Sequence, residues 1–156
     1  MNMRPRHDRI AGQHGGAVVE FALMLTLLIS IIAGIVEFGR TFWYYDALSK
    51  ATRNAARTLA VSNPATISTG VTAAKTEVAA AAASAGVPNF DTTYVTVTCL
   101  DNNLITASCT DGVSPGGVRI SVDGYQVFLG TAIPFLVGAS SYTINLRPAT
   151  TMPYMR

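Results

Sequence analysis

Two glycines, one carboxylate and two thiols are the groups in this chain whose spacing could support chemistry. Gly15 and Gly16 stand five and four residues before Glu20, at the mouth of an apolar run. Hydrolysis of the Gly15–Gly16 peptide bond would create an amino terminus at Gly16 and make Glu20 the fifth residue of the shortened chain. The carboxylate could then pair with the Gly16 ammonium, its own or a neighbour's, fixing charge and register together when helices pack. A plainer reading makes Glu20 a helix-start acid in a headgroup region, favoured by the positive end of the helix dipole. Cleavage after Gly16 would put Glu20 in fourth place, and Gly12 lies nearby; the spacing favours Gly15.

The thiols are Cys99 and Cys109, the only cysteines. Their spacing is not Cys-x-x-Cys, and the two histidines, His7 and His14, lie far upstream, so a zinc site lacks ligands. An intrachain disulfide is expected. It would close a loop of about ten residues, worth roughly 2 to 3 kcal/mol in the chain-entropy model, and it requires an oxidising compartment. No Gly-rich phosphate loop, His-Glu-x-x-His or nucleophile elbow occurs, so neither an enzyme nor a cofactor is expected. Asp101, Asp111 and Asp123 read as turn residues. A calcium site between Asp101 and Asp111 stays open as an alternative, with few carboxylates to build it.

These groups need elements to hold them. From Phe21 to Val36 no side chain carries a charge, and extending back to Ala17 admits only Glu20. The run approaches the roughly 20 residues that cross a bilayer core. An ionised group near a bilayer centre costs at least about 2.5 kcal/mol, so Glu20 needs a partner or an edge position. Arg4, Arg6 and Arg9 precede the run, offset only by Asp8, and Phe42, Trp43, Tyr44 and Tyr45 follow it. The positive-inside bias puts the amino terminus in the cytoplasm and the aromatics at the opposite interface. A secretory signal is the main competitor, but its apolar region is about 7 to 15 residues long. Here the run is longer, and Ile31 and Ile32 occupy the positions where a cleavage site wants a small residue. Charged residues make up 13%, apolar residues 49%, and the net charge is +2, which gives no electrostatic footprint for nucleic acid.

Beyond the run, Phe38, Phe42, Tyr45, Leu48, Ala51, Ala55 and Leu59 recur at helical steps, opposite Asp46, Lys50, Arg53 and Arg57. This predicts an amphipathic extension whose apolar stripe carries a globular domain, ended by Pro64. A second helix is predicted between Pro64 and Ala85, with a stop at Gly86, Val87 and Pro88. Three alternating segments, Tyr94 to Leu100, Val118 to Asp123 and Tyr142 to Arg147, predict strands of a carboxy-terminal sheet. The stretch from Tyr125 to Val137 reads as a short packed helix or loop.

The glycine, the glutamate four residues after the scissile bond's far side and the aromatic Phe21 resemble the processing site of type IV prepilins. The wording GAVVEFALMLTLLISIIAGIVEFGR resembles the TadE-like pseudopilins of the tight-adherence (Flp) pilus system, with likeness strongest from Gly15 to about Ala60. The residue after the proposed cut is Gly16 where many type IV pilins have phenylalanine. The resemblance implies an α+β, type IV pilin-like fold: a long amino-terminal transmembrane and amphipathic helix packed on a small antiparallel sheet. It divides the chain into a basic leader at 1–15, a transmembrane helix at 16–38, an amphipathic extension at 39–62 and an exported domain at 63–156. It also implies cleavage by a prepilin peptidase. The implied partners are other pseudopilins, the major Flp pilin, the assembly machinery and a bacterial inner membrane, with the carboxy-terminal domain periplasmic and a role in adhesion and biofilm formation. Ala22, Ser30, Ala33 and Gly34 offer the small residues that let membrane helices approach closely. The alternatives are an unprocessed single-pass protein with an exported partner-binding domain and, third, a secreted soluble domain.

Overall fold

The computed structural model describes residues 14–129 and 142–155. Most of the expected leader, with His7, and the end of the Tyr125 to Val137 stretch lie outside the described residues. The chain forms an α+β arrangement, a long amino-terminal apolar helix and a small antiparallel sheet. It divides between Val36 and Glu37 into two compact units.

Helix α1 runs from His14 to Ala60. Its part in the first unit carries its large apolar side chains in the open: Phe21 and Ile35 are both 67% exposed, and Leu23, Met24 and Leu27 are comparable. Among the described residues this is the one helix long and apolar enough to cross a membrane. Thr26 and Ser30 donate their hydroxyls to the carbonyls of Ala22 and Thr26, each at 2.8 Å, so neither brings an unpaired polar group to that surface.

The second unit packs the rest of α1 with helix α2 (Ile67–Ser84) over a sheet. Strands β1 (Val95–Leu100), β2 (Thr106–Ala107), β3 (Gly117–Val122) and β6 (Ala149–Pro153) form an antiparallel sheet in the order β2-β1-β3-β6. Strands β4 (Gln126–Leu129) and β5 (Tyr142–Asn145) make a separate two-stranded sheet. The sheet organisation thus differs from the single sheet expected. The third expected strand, β5, pairs with β4, which lies inside the stretch read as helix or loop, and β6 takes the free place beside β3.

One core cluster joins Ala51, Ala55, Ala56 and Leu59 of α1 to Ile67, Ala74 and Val78 of α2 and to Val95, Cys99, Val118 and Ile120 of the sheet. A second joins Tyr44 and Leu48 to Ala82, Val87, Val122, Tyr125, Val127 and Leu146. Burying each Val, Leu or Ile contributes about 1.5 to 3 kcal/mol, and the alanines admit the close approach that brings those side chains together. The buried stripe of α1 is rotated from the expected one. Leu48, Ala51, Ala55 and Leu59 are buried, but Phe38, Phe42 and Tyr45 are exposed, and Thr41, Tyr44 and Thr52 face inward instead. The threonines can do so because their hydroxyls donate to backbone carbonyls, Thr41 to Glu37 and Thr52 to Ser49.

Helix α2 ends where Gly86 adopts φ +72°, with Gly86 N–H on the Ala83 carbonyl and Val87 N–H on that of Ala82. This is the left-handed glycine cap that satisfies the last carbonyls of a helix, and Pro88 follows it. At Gly70 a Cβ would approach Leu59 Cδ1 to 2.9 Å, so the glycine lets α2 lie against α1.

Strand β6 forms one edge of the larger sheet. Val122 N–H bonds to the Pro148 carbonyl and Tyr154 N–H to that of Gly116. In the alternating antiparallel ladder the backbone groups of Thr150 and Met152 therefore also turn inward, and those of Ala149, Thr151 and Pro153 turn outward. Pro153 has no N–H to offer, and the next outward donor, Met155 N–H, is bound to the Ala60 carbonyl at 2.8 Å.

Candidate processing and assembly site

Gly15 and Gly16 lie at the amino-terminal end of the described part of α1. Both glycines are exposed, and a Cβ at either would meet nothing within 4 Å. The glycine pair is therefore open to approach, which a hydrolase needs in order to reach a peptide carbonyl.

Glu20 and Phe21 are exposed on the second turn. Gly16 and Glu20 are four residues apart and so share a face, with about 5 to 6 Å between such positions. A new ammonium at Gly16 would be within reach of the Glu20 carboxylate. The same ammonium on a neighbouring helix could take its place.

At the other end of the apolar run, Arg40 Nη2 lies 2.6 Å from Glu37 Oε2, one turn away on α1, and Glu37 is 7% exposed. The EFGR wording at Glu37 to Arg40 thus forms an ion pair on one face of the helix. Two oppositely charged groups joined there cost less to desolvate than either alone.

Cys99 and Cys109 are joined, with Cα atoms 5.2 Å apart. Cys99 is buried in the first core cluster, and the bond clips the β1–β2 hairpin to it. Asp101 turns this hairpin: its Oδ1 accepts the N–H groups of Asn103 and Ile105 at 2.8 Å. Asp111 does something the sequence reading missed. Its carboxylate accepts the Ser68 N–H at 2.8 Å and the Ser68 hydroxyl at 2.7 Å, capping α2 from 43 residues away. Thr66, the N-cap residue by position, makes no such bond. The hydrogen bonds from Ser68 hold the Asp111 carboxyl below its ordinary value. No local signal could have revealed it, because the donor and acceptor meet only in the fold. Gly112 N–H on the Pro64 carbonyl fixes the same junction. With their oxygens engaged on N–H and O–H donors, Asp101 and Asp111 serve backbone geometry, and among the described residues no group of three or more His, Cys, Asp or Glu could hold a metal ion.

The glycine pair, Glu20 and Phe21 therefore form one constellation in the first unit, and the disulfide belongs to the second. No curated protein and no solved structure matches the chain. Residues 15–57 match the family model described as TadE-like protein, the family the sequence resembles, and the match spans the glycine pair, Glu20 and the Glu37–Arg40 ion pair.

Proposed function

We propose that this protein is a minor pseudopilin of a tight-adherence (Flp) type IV pilus. It is cut between Gly15 and Gly16 by a prepilin peptidase and is required for building a fibre used in adhesion and biofilm formation. The observation that carries the reading is the TadE-like match beginning at Gly15, on a glycine pair that opens an exposed apolar helix with Glu20 at its mouth. In this reading 1–15 is a leader, 16–38 the transmembrane helix, 39–62 its extension and 63–156 an exported domain. The amino terminus faces the cytoplasm and the domain faces the periplasm, where the Cys99–Cys109 bond is supported by an oxidising environment. The partners are the peptidase, other pseudopilins, the major pilin and the assembly machinery in the inner membrane.

Glu20 is the register residue: its carboxylate pairs with the Gly16 ammonium of a neighbouring subunit, so that desolvation on leaving the headgroup region is offset only in the correct stagger. Glu20→Gln should insert normally, since the helix is otherwise unchanged, and yield few or no pili by electron microscopy. Normal piliation would remove Glu20 from this role. The unprocessed single-pass reading is the alternative, favoured by α1 running without a break through Gly15 and Gly16. Intact mass and amino-terminal sequencing, with and without the peptidase, separate the two. A peptidase-dependent start at Gly16 supports the pseudopilin, and a retained Met1 in both supports the alternative.

A further inference from the structure

Helix α1 and the start of β6 border a hollow of about 370 Å³ that lies wholly within the second unit. That volume falls in the roughly 300 to 1,000 Å³ range of small-molecule sites. From α1 come Phe42 and Tyr45, left open at 75% and 45% exposure, together with Ser49 and Arg53. Pro148, Ala149 and Thr150 form the facing wall, and the hydroxyls of Thr52 and Thr150 meet between the two walls at 3.4 Å. Trp43 is not part of this hollow; its Nε1–H donates to the Ala85 carbonyl at 3.2 Å. Two of the polar groups here lack the partners that such groups have elsewhere in the fold. Thr41 and Thr58 on the same helix return their hydroxyls to the carbonyl four residues back. The Ser49 hydroxyl oxygen is buried and has no hydrogen-bond partner among the described residues, a state that destabilises unless something in the hollow bonds to it. Arg53 is exposed and belongs to neither ion pair of the described residues, whereas Asp46, which also lines the hollow, is held by Lys50 at 2.6 Å.

We propose that this hollow binds an acidic polysaccharide through one of its uronic-acid residues. Tyr45, Ser49 and Arg53 follow one another at four-residue steps and so share a face of α1, with about 5 to 6 Å between successive positions. A pyranose ring laid on Tyr45 beside Phe42 sets its flat C–H face against aromatic surface. Its rim hydroxyls then reach Ser49 Oγ, and its carboxylate reaches the Arg53 guanidinium, whose fork matches a carboxylate with two parallel N–H···O bonds. Such a ligand uses the open rings, the orphan hydroxyl and the unpaired cation together. A phosphate or a lipid headgroup would use Arg53 alone. An extended peptide would need the edge of β6, but Pro148 has no N–H and gives its carbonyl to Val122 N–H, which leaves Ala149 as the one residue of that wall with outward backbone groups. The site shares no residue with the Gly15 to Phe21 constellation, so it stands or falls apart from the pseudopilin reading.

The test is calorimetric titration of the full chain, solubilised in a detergent without a sugar headgroup, with trigalacturonate. Maltotriose, inorganic phosphate and tri-aspartate are titrated in parallel as the neutral sugar, the bare anion and the acidic peptide. Saturable binding of trigalacturonate, at least about tenfold tighter than that of the other three, is the expected result, the difference made by one hydrogen bond to a charged group. Arg53→Gln should weaken it about tenfold or more and Ser49→Ala about two- to tenfold. Because Arg53 is exposed and Ser49 Oγ bonds to nothing, both variants should keep the parent's urea midpoint, so a lost affinity is read on a folded chain. No saturable binding of trigalacturonate, or a Kd unchanged in both variants, would overturn the proposal. Phosphate binding as tightly as the acidic trimer would reduce the hollow to an anion patch, and tri-aspartate doing so would assign it to a peptide; either overturns the sugar. Maltotriose binding as tightly would remove the role given to Arg53 and overturn the acidic assignment.

Discussion

Cys109→Ser tests how the second unit is held together. Cys99 is 1% exposed within the core and Cys109 only partly buried, so this substitution leaves the core sulfur in place and removes the crosslink alone. The bond closes a loop of sequence separation 10. For a loop of this size the chain-entropy model gives roughly 2.7 kcal/mol, a large fraction of the 5 to 15 kcal/mol by which a domain is stable. With a urea slope of about 1 to 3 kcal/mol/M, the unfolding midpoint of the detergent-solubilised chain should fall by about 1 to 2.7 M, and a reductant should do the same to the parent. Asp111 stands two residues beyond Cys109, so the crosslink and the cap on α2 hold the same loop. Asp111→Asn should therefore cost less in the Cys109→Ser background than in the parent, a coupling readable from a double-mutant cycle. The cap also has a pH signature. The Asp111 pKa is lowered from 3.8 by its bonds to Ser68, so its contribution is present above that value and lost as pH falls below it, through the folded-state pKa. A midpoint unchanged by Cys109→Ser, at constant slope, would refute the claim that this bond constrains the unfolded chain.

Gly116→Ala should be among the most damaging small substitutions in the chain. A Cβ there would lie 2.4 Å from the Asp101 carbonyl oxygen, and backbone cannot swing aside as a side chain can. Overpacking of this kind costs about 3 kcal/mol or more, to be measured by the same urea titration. Tyr125 predicts a loss of stability in alkali. Burial, followed by the neighbouring Tyr44 and Tyr94, pushes its pKa from 10.0 up to about 12. The unfolded chain therefore ionises first, and stability should decline as pH rises through that window, less so in Tyr125→Phe.

The parts legible in the sequence are those whose signal is local. The alternation of Val118, Ile120 and Val122 with Arg119 and Ser121 announces β3, and the Gly86 stop announces the end of α2. Strand β6 was illegible because none of its residues is fully buried, so no apolar alternation marks it; its register comes from β3 alone. The helical-step pattern of α1 includes Phe38, Phe42 and Tyr45, which the fold leaves exposed. Threonines that return their hydroxyls to the helix can be buried in their place. Gly15, Gly16 and Glu20 could be singled out at once, since their relation is a matter of spacing along one helix. The ties from Asp111 to Ser68 and from Trp43 to Ala85 join residues more than 40 positions apart, and nothing in either segment foretells the other.

The sheet edges bear on how copies of this protein can associate. Strand β2 is two residues long, and the outer side of β6 offers the N–H groups of Ala149 and Thr151 before Pro153 interrupts the row. An added strand would find too few bonds to hold it on either side. On the proposed membrane anchoring, copies of this protein would meet at high local density, the condition under which unguarded strands zip into cross-β aggregates. At the four-stranded sheet that route is closed at both borders, and in the proposed fibre the cohesion between copies would be left to helices.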